Sequence, residues 1–151
     1  DWPTVELLDE AIAEYGALGL KVMITELDVD VLPRRQRGGP VSADISRTQG
    51  YEDAQNPYRD GLPEDMQQRL ARRYAEIFTV YLKHADVLDR VTFWGVTDST
   101  SWLNNFPVRG RTNYPLLFDR QRQAKPAFHA VIELVAPAQE QDEANGAQEG
   151  Q

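Results

Sequence analysis

The chain has 151 residues, 41% of them hydrophobic, enough for one modest domain with a core. A formal net charge of −8 and a pI of about 4.7 argue against nucleic-acid binding, which needs a basic footprint, and against anionic membrane surfaces. There is no cysteine, so disulfides and thiolate metal sites are excluded, whereas a neutral partner such as a sugar stays open.

The opening segment DWPTVELLDEAIAEYGALGL predicts a helix. Thr4 suits its N-cap, Val5, Leu8, Ile12 and Tyr15 recur at helical spacing, and Gly16 and Gly19 supply stops. The segment has no initiator Met, so the N-terminus is expected to be cut from something longer.

KVMITELDV then predicts a strand. Its apolar run Val22–Ile24 fits a parallel strand covered on both faces. By alternation, Val22, Ile24, Glu26, Asp28 and Asp30 share one face, and Met23, Thr25 and Leu27 take the other, toward a helix layer. The three acids are thus expected to face a shared cavity at the strand's C-terminal end. Clustered carboxylates of that kind serve acid–base or nucleophilic chemistry. The competing reading is that they are solvated at a strand end or paired with nearby arginines.

From Val31 to Leu62 no period is sustained, and Gly38, Gly39, Pro40, Gly50, Pro57 and Gly61 break any regular element. Arg34, Arg35 and Arg37 lie here and are expected to be solvated. The strongest helix signal follows, in which Met66, Leu70, Tyr74, Ile77 and Tyr81 step by four, four, three and four. Pro63, Glu64 and Asp65 suit its first turn.

RVTFWGVTD predicts a second strand with Trp94 inside it, and a second irregular stretch carries Trp102. Two indoles beside a carboxylate mouth suit a sugar ring, whose C–H faces pack on aromatic faces. The alternative is that both pack as core or lid. Gly95 allows a close approach of backbone or ligand. Arg109 and Arg111 could pair with carboxylates near the mouth. KPAFHAVIELV predicts a last helix with Phe128, Val131, Ile132 and Val135 on one face. His84 and His129 are expected to be structural, and neither a metal-binding spacing nor a phosphate loop is present. The tail from Ala136 to Gln151 has no apolar residue larger than Ala and is expected to be disordered, leaving residues 1–135 as the folded part.

The order α, β, α, β, α is that of an α/β fold, with both irregular stretches following strand C-termini, where α/β barrels build their sites. Two parallel strands cannot cover their own edges, so a portion of a larger barrel is expected.

ITELDVDV, VTFWGVTDSTSWLNNFPVRGRTNYPLLFD and KPAF together resemble the C-terminal part of a glycoside hydrolase family 10 enzyme, an endo-1,4-β-xylanase. The resemblance spans roughly Thr4 to Val135. It implies the C-terminal portion of a (β/α)8 barrel, from helix six to helix eight. Glu26 matches the family's catalytic nucleophile, and Asp28 a supporting acid that hydrogen-bonds a histidine on the preceding strand. Trp94 and Trp102 match aromatics packing around the sugar. It further implies retaining hydrolysis of xylan without a cofactor or metal, and a parent that is secreted or periplasmic. The family's acid/base sits in an Asn-Glu pair that this sequence lacks, so the isolated chain is expected to be inactive without the N-terminal part of the barrel. Two alternatives stay open: a xylooligosaccharide-binding element that does not hydrolyse, and a small non-catalytic α/β domain with an unrelated partner.

Overall fold

The computed structural model describes residues 3–33, 56–106 and 109–136. Most of the first irregular stretch, including Arg34, Arg35 and Arg37, and the tail beyond Ala136 lie outside the described residues.

Helix α1 (Val5–Ala17) begins as its sequence predicts, with Thr4 Oγ1 accepting the Leu7 N–H at 3.2 Å. It ends in a Schellman arrangement. Leu20 N–H donates to the Tyr15 carbonyl at 3.1 Å and Gly19 N–H to the Gly16 carbonyl at 2.9 Å, with Gly19 at φ +74°. Gly19 alone is therefore the stop. Gly16 lies inside the helix, and a Cβ there would stand 2.7 Å from Val87 Cγ2, so glycine lets α1 approach the turn before the second strand. Ile12 is buried with Val5 and Leu8 beside it, whereas Tyr15 is largely exposed.

Strand β1 (Val22–Leu27) pairs in parallel with β2 (Leu88–Phe93), and helix α2 (Glu64–Lys83) connects them. The amphipathic period of α2 is borne out. Leu70, Tyr74, Ile77 and Tyr81 are buried, and Phe78 stacks on Phe93 of β2 at 6.0 Å. Helix α3 (Pro126–Glu133) packs against α2 through Ala127, Ala130 and Val131, and Phe128 meets Phe118 at 5.2 Å. Ile132 and Val135 were expected on that face and are exposed. Tyr74 Oη donates to the Pro115 carbonyl at 2.6 Å, which ties α2 to the long segment between β2 and α3. No described helix is long and apolar enough to cross a membrane.

The two-residue alternation expected of β1 fails. Ile24 pairs with Val91 and Leu27 with Phe93, so three steps on β1 oppose two on β2, and the extra residue forms a bulge. Ile24 and Leu27 both pack on the helix side. Met23, Thr25 and Glu26 are exposed on the opposite, open side of the sheet. Val22 and Ile24 thus do not share a face with Glu26, and Leu27 does not share one with Met23 and Thr25.

Candidate active site

The bulge sets the site. Without it, alternation would put Glu26 on the side of Ile24, against the helices. The extra residue instead leaves Thr25 and Glu26 consecutively exposed, and bulges commonly re-aim a side chain in this way. On β2, Val91 and Phe93 pack toward the helices, while Thr92 and Trp94 are exposed. Trp94 lies one residue beyond β2, not within it, yet its N–H continues the ladder by donating to the Leu27 carbonyl at 3.0 Å. Trp94 therefore follows the carboxyl end of β2 and is tied there to the neighbouring end of β1, the strand that carries Glu26.

The second indole arrives from the loop. Trp102 begins a single 3-10 turn (Trp102–Asn104) capped by Ser101 Oγ, which accepts the Leu103 N–H at 3.2 Å. Its Nε1–H donates to Asp28 Oδ2 at 2.7 Å. The stretch after β2 thereby returns to the carboxyl end of β1, with Asp28 two residues from Glu26.

The acids do not share one cavity. Asp28 and Asp30 border a cavity of about 500 Å³ lined also by Leu8, Leu27, Leu70 and Tyr81, on the helix side, and Glu26 is not part of that lining. Asp30 is a structural clamp: Oδ1 accepts from Leu32 N–H at 3.0 Å and from Asn113 Nδ2 at 2.8 Å.

The segment after β2 carries a buried polar network. Asp98 is fully buried; its Oδ2 meets Lys125 Nζ at 2.9 Å and its Oδ1 accepts Leu116 N–H at 2.9 Å. Lys125 Nζ also donates to the Tyr114 carbonyl at 2.8 Å. Burial pushes the Asp98 carboxyl up and the Lys125 ammonium down, each shift partly offset by the partner's charge. Arg120 donates to Asn104 Oδ1 at 2.7 Å and lies 5.5 Å over the Tyr114 ring. Asn104 Oδ1 also accepts Asn113 N–H at 2.9 Å. Arg111, expected near a carboxylate, is buried and donates to the Phe106 carbonyl at 3.4 Å, while Arg109 is exposed. The carboxylate-pairing cation of this segment is Lys125 of KPAF, a role its sequence position does not announce.

Phe106 adds a ring beside Trp102 that no sequence pattern above singles out. Its ring stacks on Trp102 at 5.2 Å with 25° between planes. The i, i+4 spacing of Trp102 and Phe106 was the available signal. His84 is the C-cap of α2 and contacts Asp9 of α1, and His129 is exposed beside Phe128. Among the described residues, no group of three or more His, Asp or Glu could hold a metal ion.

The strand end thus presents one exposed carboxylate, a second that grips an indole, and three exposed aromatic rings. Such a surface can pack sugar C–H faces and hold a nucleophile beside them.

Comparison with known proteins gives a consistent picture. The sequence model described as glycosyl hydrolase family 10 matches residues 2–134. The chain is 41% identical over 134 residues to endo-1,4-beta-xylanase A of Xylanibacter ruminicola, covering 89% of this chain and 36% of that one. A structure of an endoxylanase retrieved from a sugarcane soil metagenome superimposes with a TM-score of 0.77 at 43% identity, over 89% of this chain and 36% of the other. A mutant structure in complex with xylotriose superimposes with a TM-score of 0.67 at 34% identity, over 87% of this chain and 35% of the other. The chain spans about a third of the length of these three relatives, and the match falls in their C-terminal part. The unclosed two-stranded sheet is accordingly a portion of a (β/α)8 barrel.

Proposed function

The chain belongs to glycosyl hydrolase family 10, and from that premise we propose that it forms the C-terminal part of a retaining endo-1,4-β-xylanase whose nucleophile is Glu26. The observation that carries this reading is the Trp102 indole N–H held on Asp28 at 2.7 Å, together with the Trp94 amide held on the Leu27 carbonyl at 3.0 Å. These two bonds tie the residues that bear both indoles to the carboxyl end of β1, the strand that carries Glu26.

In this mechanism the xylan chain lies across Trp94 and Trp102, with apolar ring faces against sugar C–H faces. The Glu26 carboxylate attacks the anomeric carbon, the glycosidic C–O bond breaks, and a glycosyl-enzyme forms. A second carboxylic acid, contributed from outside this chain, gives its proton to the leaving oxygen and then takes one from the water that releases the sugar. Retaining geometry requires the two carboxyls to stand ~5–5.5 Å apart. Asp28 acts indirectly, by fixing Trp102 beside the nucleophile. A polymeric substrate is too large to enter a cell, so the parent would work secreted or in the periplasm.

The decisive experiment uses the intact parent. Glu26→Ala should lower xylan cleavage by a factor on the order of a thousand or more, while xylotriose still quenches tryptophan fluorescence and thermal unfolding is unchanged. Cleavage at the parental rate would sink the assignment. Saturable sugar binding by the unmutated parent with no product would instead favour the non-hydrolysing alternative.

A further inference from the structure

Trp102 is held from three directions. Its indole N–H is fixed on Asp28. Its backbone is locked in the 3-10 turn, with its carbonyl accepting Asn105 N–H at 2.9 Å. One face of its ring is covered by Phe106, 5.2 Å away and inclined by only 25°. Phe106 is itself anchored, because its carbonyl accepts from Arg111, whose side chain lies in the interior. Trp102 nonetheless remains 43% exposed. A ring bonded at its edge and stacked on one face has one broad face left to offer.

We infer that Phe106 is a positioning residue for substrate: it backs the Trp102 indole so that the opposite face is presented to a xylosyl ring at a set angle. The inference rests on the substrate reading above. The stack removes one face of Trp102 from water and opposes rotation about its side-chain bonds, leaving the Asp28 hydrogen bond as a hinge. Without Phe106 the indole could swing about that hinge, and each bound sugar would have to reorder it. Ground-state binding and transition-state binding would weaken together, so the effect falls on KM and leaves kcat in place. Phe106 is itself 44% exposed and belongs to no buried cluster, so its truncation should leave the fold intact.

The test measures xylotetraose hydrolysis by the intact parent. Phe106→Ala should raise KM about three- to tenfold, the range expected for losing one aromatic pair, with kcat within about twofold and an unchanged melting temperature. Phe106→Tyr, which keeps the ring, should restore KM. The double variant Trp102→Ala with Phe106→Ala should behave like Trp102→Ala alone, since Phe106 acts through the indole. An unchanged KM in Phe106→Ala, alongside a raised KM in Trp102→Ala, overturns the inference and spares the substrate reading. An unchanged KM in both variants overturns the substrate reading and takes the inference with it. A loss of kcat and melting temperature without a change in KM also overturns the inference, because it would mark Phe106 as merely structural.

Discussion

Lys125 Nζ lies 2.9 Å from Asp98 Oδ2 in a pair that is 3% and 0% exposed. This contact joins the last residue before α3 to the turn that follows Trp94, and it closes the long segment onto the barrel portion. Two charges removed from water are stable only with complete partnering. Here Leu116 N–H and the Tyr114 carbonyl supply the remaining bonds. Lys125→Met should therefore cost roughly 3–5 kcal/mol of stability in urea melts of the intact parent, because it strands a buried carboxylate. Adding Asp98→Asn should recover part of that loss.

The same pair predicts a pH dependence with a definite sign. Burial already raises the Asp98 pKa above 3.8, and Lys125 is the largest influence opposing that rise. A carboxyl whose folded pKa exceeds its unfolded value loses stability as pH climbs from the lower value through the higher one. With Lys125 replaced by Met the folded value climbs further and the window widens. The deficit of Lys125→Met relative to the parent should shrink at acid pH and grow toward neutrality. A deficit that is flat across this range would mean that Asp98 is not the group responsible.

Gly95 stands at φ +155°, and a Cβ there would lie 2.9 Å from Leu116 Cδ1, an atom of a side chain with almost no exposure. The backbone between Trp94 and the Asp98 turn can run this close to Leu116 only without a side chain. Gly95→Ala should cost about 1–3 kcal/mol by overpacking. It should also displace Trp94, so KM for xylotetraose should rise with it. Paired melting and kinetic measurements check both halves, and a variant as stable as the parent would show that Leu116 can move aside.

The helices were legible because α2 repeats its apolar residues over about four turns, from Met66 to Tyr81, and α1 carries its own cap and stop residues. Gly16 misled because a glycine near a helix end reads as punctuation, whereas its function is to make room for Val87, 71 positions away in sequence. The bulge in β1 left no trace in the sequence. One extra residue changes neither the apolar run nor the carboxylates after it, yet it exchanges the faces of the strand. Glu26 was singled out by a sound argument about strand ends but by the wrong alternation, since Ile24 and Leu27, three apart, share the helix side. The polar network was hidden for a different reason. Asp98, Asn104, Asn113, Arg120 and Lys125 read as an ordinary hydrophilic loop, because nothing local tells a buried carboxylate from a solvated one when its partner lies 27 residues on.

The far end of the molecule offers a prediction that does not touch the site. Asp9 of α1 receives hydrogen bonds from Lys83, at 2.9 and 2.6 Å, and from His84, which together close α1 onto the C-terminal turn of α2. These two partners, Lys83 first, hold the Asp9 carboxyl below its usual value of 3.8. For a carboxyl lowered by folding, the contribution to stability is present above the unfolded value and disappears as pH falls through the folded one. Asp9→Asn should accordingly be less stable than the parent at neutral pH, and the two should converge as the solution is acidified below about pH 4. The carboxylate is partly open to solvent, so added salt should narrow the gap at neutral pH as well. Urea melts of both proteins across that pH range, at low and high salt, test the assignment. A gap that persists unchanged into strong acid would point to lost packing of the side chain and not to its charge.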